Sequence, residues 1–330
     1  MKKTILIICL LVFPVLNLFS QQRDFPKLIG AYLGQKPPGT TPEIFAPGII
    51  STGLDELNSV FSPDGTEFYF CVRKPGAVSI FQIKLENGIW SKPALLPFAS
   101  RFGDIDISLS PDGNKLFYSS KRPASENTDP KSDYDFWMVD RVAKAWGKPI
   151  HLGTEINSDR DDFYPMMTND GTLYFSSQRE GPGTNNIYRS MLVNGRYLTA
   201  EKLDSSINSE YRDFDPYISP DESLLIFASA RPDGFGAEDL YISFRRADGS
   251  WTQAKNMGDK INSPGAEYCP MLSPDGKFLF FTSARRAPIS FPDQPLSYHE
   301  FAYYHNLPQN VFSDIYWVDA KIIVEFKQSN

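Results

Sequence analysis

The chain has few of the residues from which catalytic and metal centres are usually built. Among its 330 residues there are only three His and three Cys. Cys71 and Cys269 are the two cysteines beyond the N-terminal apolar segment. Two cysteines are too few for a disulfide framework, so we expect both to be buried as small side chains. The pair His299-Glu300 resembles the start of a metalloprotease motif, but Tyr303 stands where the second His is needed. The sequence therefore predicts no metal and no cofactor.

Other catalytic signatures are absent as well. The sequence contains no Gly-rich phosphate loop, no Gly-x-Ser-x-Gly nucleophile elbow and no sialidase-type box. It also lacks an excess of basic residues, since 33 Lys and Arg stand against 40 Asp and Glu, for a net charge of −7. An acidic chain is a poor ligand for nucleic acid or for an anionic membrane, so neither is expected as a partner.

Only one long apolar run occurs, and it lies at the N-terminus. Residues 5–19 are apolar, follow two lysines and end at the small residue Ser20, as in a secretory signal peptide. The run is shorter than the roughly 20 residues of a membrane span, and Pro14 and Asn17 interrupt it. We predict a signal peptide over residues 1–20, cleaved after Ser20, an N-terminal extension over 21–42, and a periplasmic or secreted protein without a membrane span.

One turn sequence recurs about every 50 residues and determines the fold class. It is Ser-Pro-Asp-Gly or a close variant, and it begins at Ser62, Ser110, Thr168, Ser219 and Ser273. Pro presets φ, Asp bonds to the local backbone and Gly accepts a positive φ, so each turn joins two antiparallel strands. A continuous apolar run follows each turn, which indicates a strand that is covered on both faces.

Two more strands follow in each repeat, one marked by Asp-x-Tyr or a variant and one announced by Trp or Tyr. Four strands repeated five times predict an all-β fold, a five-bladed β-propeller of antiparallel four-stranded blades, with six blades as the alternative. We expect the propeller over residues 43–326, with blades at about 54–98, 104–152, 161–203, 212–257 and 266–319.

The last repeat has no fourth strand after Trp317. Residues 43–50 parallel the fourth strand of another repeat, 148–153, in sequence. We therefore expect the first strand of the chain to complete the last blade, which would remove the exposed edge of the sheet.

The Ser-Pro-Asp-Gly turns, the Ser-x-Arg endings and the Asp-Ile-Tyr starts resemble the WD40-like propeller repeats of TolB-type proteins. The resemblance covers roughly residues 43–320 and extends to small exported Bacteroidetes propellers of unassigned activity. It implies protein–protein contact in the cell envelope. The chain departs from TolB-type proteins in showing no separate N-terminal α/β domain.

Two charged columns appear when the repeats are aligned on their turns. The acidic column consists of Glu56, Asp104, Asp162, Asp213 and Glu267. The basic column consists of Arg73, Arg122, Arg179, Arg231 and Arg285. We expect the acids to ring one mouth of the central channel. Near-identical copies favour architecture, in which each acid pairs with an Arg or caps a loop, over a cation or substrate site.

Positions that differ between repeats are better candidates for a site. Four residues before each turn the chain has Asn58, Asp106, Tyr164, Asp215 and Cys269, which should face the channel. Asp106 and Asp215 are the two acids that break the symmetry, and they are the carboxylate pair available for acid–base chemistry if the protein is an enzyme. We expect Tyr164 to bind ligand together with these two acids.

The segment from Arg286 to Phe312 is the longest connection in the chain. Loops beyond roughly 12–15 residues are uncommon unless they are functional or disordered, and the aromatic residues of this one argue against disorder. Side chains with an apolar body and a polar tip suit ligand contacts, so Tyr298, His299, Tyr303 and Tyr304 are candidate binding residues. The alternative is that the loop packs over the propeller and hides its rings.

Two function classes remain open. The first is a non-catalytic exported binding propeller that acts as a monomer and recognises a protein or a glycan of the cell envelope. The second is a glycan-active hydrolase or lyase with Asp106 and Asp215 in the central funnel. An Arg partner for every acid would favour the first, which we expect, whereas several acids of unequal environment in one funnel would favour the second.

Overall fold

The computed structural model describes residues 25–125, 129–287 and 294–328, so the predicted signal peptide lies outside the described residues. Five four-stranded antiparallel sheets surround a central axis and form a five-bladed propeller. This confirms the predicted fold class and rules out six blades. No helix in the described part of the chain is long and apolar enough to cross a membrane.

The strands, numbered in chain order, occupy four positions in each blade. The innermost strands, which contact one another around the axis, are β2 (Asp55–Phe61), β7 (Asp104–Leu109), β12 (Asp162–Met167), β18 (Asp213–Ile218) and β22 (Glu267–Leu272). The second strands are β3 (Glu67–Lys74), β8 (Lys115–Ser120), β13 (Leu173–Ser177), β19 (Leu224–Ser229) and β23 (Phe278–Ser283). The third strands are β4 (Ala77–Glu86), β9 (Asp135–Val142), β14 (Asn186–Ser190), β20 (Asp239–Phe244) and β24 (Asp314–Asp319).

The outer strands are short. They are β6 (Ala94–Leu95), β11 (Ile150–His151), β17 (Glu201–Lys202), β21 (Lys255–Asn256) and β1 (Glu43–Ile44). Two further short strands, β5 (Ile89–Trp90) and β10 (Ala145–Trp146), pair with the third strands β4 and β9. The strands β15 (Leu192–Val193) and β16 (Arg196–Tyr197) pair with each other. A 3-10 turn spans Ala31–Gly34, and the described ranges contain two helices, α1 (Tyr298–His305) and α2 (Ile322–Gln328).

The ring closes as predicted, because β1 pairs with β24 and completes the last blade. Ile44 lies opposite Tyr316, and the Phe45 amide donates to the Ile315 carbonyl at 2.8 Å. Regular pairing covers only Glu43–Ile44, so the strand is shorter than the expected 43–50. Phe45 is fully buried and anchors this closing seam between blades 5 and 1.

Each inner strand carries a β-bulge four residues before its turn. The bulged residues all have a positive φ between 49° and 58°, and they are Asn58, Asp106, Tyr164, Asp215 and Cys269. An L-residue adopts this conformation only at a cost, and a bulge redirects its side chain out of the pleat. The bulges therefore place one side chain from each blade on the axis.

The inner strands run from a mouth face, where they begin, to a turn face, where the five turns lie. β2, for example, starts at Asp55 on the mouth face and ends before the turn at Ser62. The N-terminal extension lies against the turn face, where the Tyr32 hydroxyl donates to Asp275 at 2.9 Å. α1 lies at the mouth face, so the two faces carry different additions to the ring.

Candidate functional site

Four of the five buried acids have the arginine partner that the sequence predicts. The pairs and their N···O distances are Asp104–Arg122 (3.3 Å), Asp162–Arg179 (3.3 Å), Asp213–Arg231 (3.1 Å) and Glu267–Arg285 (3.4 Å). In blade 4, Asp213 also accepts the backbone N–H and the hydroxyl of Ser209 at 2.6 and 2.7 Å. Arg231 donates to the Ile207 carbonyl at 2.7 Å and stacks 4.5 Å from the centre of the Tyr241 ring.

These acids lie inside the blades instead of ringing an open mouth. Their exposed fractions do not exceed 1%. Each links the start of an inner strand to the loop before it and to the end of the second strand. We call this arrangement the clasp; its geometry is that of an architectural contact.

Blade 1 corrects the predicted basic column, because Arg73 does not occupy the clasp position. In blades 2 to 5 the clasp arginine lies two residues beyond the residue that faces the acid across the sheet. In blade 1 Val72 faces Glu56, so the clasp position is that of Lys74, and Arg73 faces Asp55. Neighbouring side chains of a strand point to opposite faces, and a shift of one residue therefore gives Arg73 a different environment.

Arg73 points toward the axis of the mouth. It forms an ion pair with Asp55 at 3.5 Å and keeps 47% of its side chain exposed. Burial alone would lower the pKa of its guanidinium, but the pKa is raised because Tyr268, Asp55 and Asp106 lie nearby. Arg73 is a candidate ligand residue that the turn-based alignment missed.

Among the residues that the structure describes, Glu56 has no arginine beside it. It accepts hydrogen bonds from the backbone N–H of Thr52 at 3.1 Å and from the Thr52 hydroxyl, so it caps the preceding loop. Burial raises its pKa to about 7, and the negative charges of Asp314 and Asp55 add to the effect. Blade 1 therefore contains a buried carboxyl group whose charge is not compensated.

Asp314, across the closing seam from Glu56, is satisfied at only one of its two oxygens, since the Gln309 amide donates to Oδ2 at 2.6 Å. Its equivalents Asp135 and Asp239 bond to His151 at 2.8 Å and to Asn256 at 2.8 Å on their outer strands. The outer strand of blade 5 offers Ile44 at that place, which has no donor in its side chain. Oδ1 of Asp314 is buried and has no partner within the described residues, and burial raises the pKa of this carboxyl to about 6.

The five bulged residues form a polar layer across the axis. Tyr164 reaches from blade 3 to blade 5 and donates to the Pro270 carbonyl at 2.8 Å. The amide of Ile107 donates to Oδ1 of Asn58 at 2.8 Å, and Sγ of Cys269 donates to Asp215 at 3.3 Å. None of the five is more than 7% exposed, so the layer closes the channel.

Asp106 and Asp215 share this layer, as the sequence predicts, and they influence each other. Burial raises the pKa of Asp215 to about 6. Burial and the negative charge of Asp215 together raise the pKa of Asp106 well above its usual value. Both carboxyl groups therefore take up a proton at a higher pH than an exposed aspartate does. The ring nevertheless encloses them.

α1 presents the other predicted ligand residues at the mouth face. Ser297 and Glu300 form a capping box at its first turn. No residue of the helix is buried, and Tyr298, Tyr303 and Tyr304 are 87%, 61% and 53% exposed. The alternative expectation, that the loop hides its aromatic rings, does not describe this helix.

The end of α1 is fixed to the start of blade 1. A Cβ atom at position 53 would lie 2.6 Å from Cα of Asn306, which is closer than two carbon atoms can pack, so this contact requires glycine. Asn310 donates to the Gly53 carbonyl at 3.1 Å, and the Ser313 amide donates to Asp55 at 3.2 Å. The helix thus stands over the closing seam, near Asp55 and Arg73.

The predicted ligand residues therefore fall into two groups that the structure keeps apart. Tyr298, His299, Tyr303 and Tyr304 lie on the exposed helix, whereas Tyr164, Asp106 and Asp215 lie in the closed axial layer. In the described ranges, no group of three or more His, Cys, Asp or Glu is arranged to hold a metal ion.

No protein-family model and no curated protein matches the chain. Solved structures do match. A protein described as TolB from Agrobacterium tumefaciens is 20% identical, with 70% of each chain covered and a TM-score of 0.46. An α-L-arabinofuranosidase from Lactobacillus brevis is 13% identical, covers 82% of this chain and 91% of its own, and has a TM-score of 0.45. An endo-arabinase from Bacteroides thetaiotaomicron is 14% identical, with 83% and 96% covered and a TM-score of 0.45. This chain is similar to all three in its propeller architecture.

Proposed function

We propose that this protein is an exported, non-catalytic binding propeller whose mouth face docks a protein of the cell envelope through α1. The observation that carries the proposal is a helix rich in aromatic residues with none of its side chains buried. A helix of eight residues is marginal by itself in water, so it depends on its capping box and on the contact with Gly53. Large aromatic groups held in water in this way are typical of a surface that a partner covers.

The composition of the surrounding surface favours a protein over a glycan. Leu54, Val311 and Phe312 are exposed and lie in the segments that anchor α1, next to Gly53 and Asn310. Together with Phe301 and the tyrosines they combine aliphatic and aromatic groups, as the cores of protein interfaces do. A sugar-binding surface needs aromatic faces mixed with many hydrogen-bonding groups, and the aliphatic residues here offer none.

The enclosed acids support a non-catalytic role. Hydrolysis of a glycosidic bond needs two carboxyl groups that reach the substrate from either side. Asp106 and Asp215 are at most 7% exposed, and Tyr164 bridges the ring in the same layer.

Site-specific photo-crosslinking tests the proposal. A photoreactive phenylalanine analogue would replace Tyr303 in one sample and Phe235 in a control sample. Phe235 is also an exposed aromatic, 49% exposed, but it lies in the loop before the third strand of blade 4. We expect one envelope protein to crosslink at position 303 and not at 235, and purified partner to bind the parent but not the Tyr303→Ser, Tyr304→Ser variant.

Three results would overturn the proposal. They are equal crosslinking at both positions, unchanged partner binding by the double serine variant, and binding to arrayed glycans that the same variant loses. The last result would keep the surface and change its ligand to a glycan.

A second function has one observation in its favour. Two neighbouring carboxyl groups with raised pKa values are a common property of hydrolase sites. If the protein is a glycan-active enzyme, the parent will release reducing sugar from a polysaccharide, and Asp106→Asn and Asp215→Asn will each abolish release without loss of folding. We expect no release by the parent.

A further inference from the structure

A groove crosses the turn face of the propeller, on the side opposite to α1. Its central part is a well on the axis with a volume of about 480 Å³. The inner strands contribute its apolar wall, with Val60 from blade 1, Leu109 from blade 2, Met166 from blade 3, Tyr217 from blade 4 and Met271 from blade 5. This volume lies in the range of ligand-binding concavities, and it is large enough to accept a large apolar side chain.

Two further depressions extend the well in both directions. One, of about 640 Å³, shares Phe61, Pro63 and Pro274 with the well and runs beneath the N-terminal extension at Tyr32. The other, of about 320 Å³, shares Pro111 and Met167 with the well and runs between the turns of blades 2 and 3. Because neighbouring depressions have lining residues in common, they form one track across the face.

The floor of the well is the closed axial layer. Tyr164 is 1% exposed and bridges to the carbonyl of Pro270, on the opposite side of the ring. A ligand in the well therefore cannot reach the mouth face, and the groove is a separate surface from the one that carries α1.

The track is acidic along its length. Asp275, Asp221 and Asp112 each line one of the three depressions. The hydroxyls of Ser219 and Ser110 donate to Asp221 and Asp112 and lower their pKa values, so both remain ionised at neutral pH. Within the described residues neither has an ion-pair partner, whereas Asp275 has Lys277 at 2.9 Å.

Lys115, which lines the third depression, does not neutralise the track. Lys115 bonds to Asp140 at 2.6 Å, and its charge is thereby engaged with another acid. The groove offers an apolar centre with uncompensated negative charge on its course, which is complementary to positive charge on a ligand.

We propose that this groove binds an extended protein segment that inserts one apolar side chain into the axial well and carries Lys or Arg next to it. The linear track fits an extended chain. Three methionines line the well, namely Met166, Met167 and Met271, and they allow it to adapt to side chains such as Leu, Met or Phe, because Met is flexible and polarisable. The proposal is independent of the function assigned to the mouth face.

The test uses three capped peptides and the full chain labelled with ¹³C at its methionine methyl groups. The peptides are Lys-Lys-Gly-Leu-Gly-Lys-Lys, the same peptide with Ser in place of Leu, and the same peptide with Glu in place of every Lys. Met166 and Met271 report from the well, while Met191 and Met257 report from elsewhere in the ring. We expect saturable shifts at Met166 and Met271 with the first peptide at concentrations up to about 5 mM. The other two peptides should bind at least about fivefold more weakly.

A pair of variants separates the acidic track from general charge. Asp112→Asn combined with Asp221→Asn keeps an acceptor for the turn serines and should weaken binding of the first peptide about fivefold. Asp248→Asn is the matched control, because Asp248 makes the same kind of bonds to Ser250 in a turn that does not line the groove. The control should bind as the parent does.

The proposal fails if no saturable shift occurs at Met166 and Met271. It fails equally if the Glu peptide binds as tightly as the Lys peptide, or if the double Asn variant binds like the parent. The melting temperature of each variant, measured alongside, shows whether the ring is intact.

Discussion

In blade 5 the buried acid Glu267 lies 3.4 Å from an arginine, whereas the corresponding Glu56 of blade 1 bonds to Thr52, lies near Asp314 and Asp55, and has no arginine partner in the described part of the chain. The same contrast holds across the closing seam, where Asp314 lacks the outer-strand donor that Asp135 and Asp239 have. Two buried acids at one seam thus lack a partner that their counterparts in other blades have, an arginine for Glu56 and an outer-strand donor for Asp314.

This difference identifies the closing seam as the part of the ring in which buried polar groups contribute least to stability. A buried charge without a partner costs free energy, so natural sequences keep one mainly where another property is needed. α1 stands over this seam, and Arg73, one residue before the clasp position, points to the mouth. The residues that depart from the repeat pattern therefore lie at the mouth face, where we place the binding surface.

The largest effect is expected from Phe45→Ala at the closing seam. Phe45 is fully buried and touches the rings of Phe68, Phe280 and Trp317 at centroid distances of 5.1–5.3 Å. Its removal leaves a cavity and should lower the free energy of unfolding by about 3–5 kcal/mol. Urea denaturation would measure this. Met257→Ala, at the equivalent place in blade 4, is the comparison, and a smaller loss at Phe45 than at Met257 would contradict the account.

Removal of a clasp should lower the free energy of unfolding by less than Phe45→Ala does, but by a measurable amount. Asp213→Asn leaves Arg231 buried without its anion, which should lower the free energy of unfolding by about 2–4 kcal/mol. Lys74→Gln at the blade 1 position should change it by less than about 0.5 kcal/mol, because Lys74 is exposed. Equal losses for the two variants would show that blade 1 has a clasp after all.

The uncompensated acid should show itself in the pH dependence of stability. The pKa of Glu56 is about 7 in the folded protein, above the usual 4.5, so its contribution is present below pH 4.5 and is lost as the pH rises through 7. Glu56→Gln should therefore be close to the parent in stability at pH 4 and more stable by about 1–3 kcal/mol at pH 8.

The comparison with the variant is needed because other groups act in the opposite direction. Hydrogen bonds from the turn hydroxyls lower the pKa values of Asp112 and Asp221, whose contributions are lost as the pH falls. The difference between parent and variant isolates Glu56. A difference that does not change between pH 4 and pH 8 would show that Glu56 is compensated.

The sequence was sufficient for the fold because the turn repeats and the apolar runs are local signals that recur in every blade. It was also sufficient for the closure, since a strand missing after Trp317 has to come from elsewhere in the chain. The role of Arg73 could not be obtained by matching Arg residues after each turn. The turn of blade 3 is one residue shorter, so its arginine comes earlier, and blade 1 looks similar although its strand has no such deletion. Only the cross-strand register separates the two cases.

The closure of the axial channel could likewise not be predicted from the sequence. The alternation of a strand predicts that a side chain faces the channel but not that five bulges turn their side chains into one layer. α1 was missed as well, because a helix of this length carries too weak a periodic signal within a long loop.

The smallest effect on stability is expected at α1. Replacing Tyr298, Tyr303 and Tyr304 with Ser removes only exposed groups, so the melting temperature should stay within about 2 °C of the parent. A large drop in the melting temperature, measured by circular dichroism, would mean that these rings stabilise the closing seam and are not a free binding surface.

Hydrogen exchange at matching amides tests most directly whether the closing seam is the weak one. The Phe45 amide bonds to Ile315 in this seam at 2.8 Å, and the Met257 amide bonds to Leu240 in blade 4 at 2.9 Å. After correction for intrinsic rates, we expect the Phe45 amide to open with the lower free energy at pH 8, and the gap to narrow at pH 5 and in Glu56→Gln. Equal opening free energies for the two amides at both pH values would contradict the account.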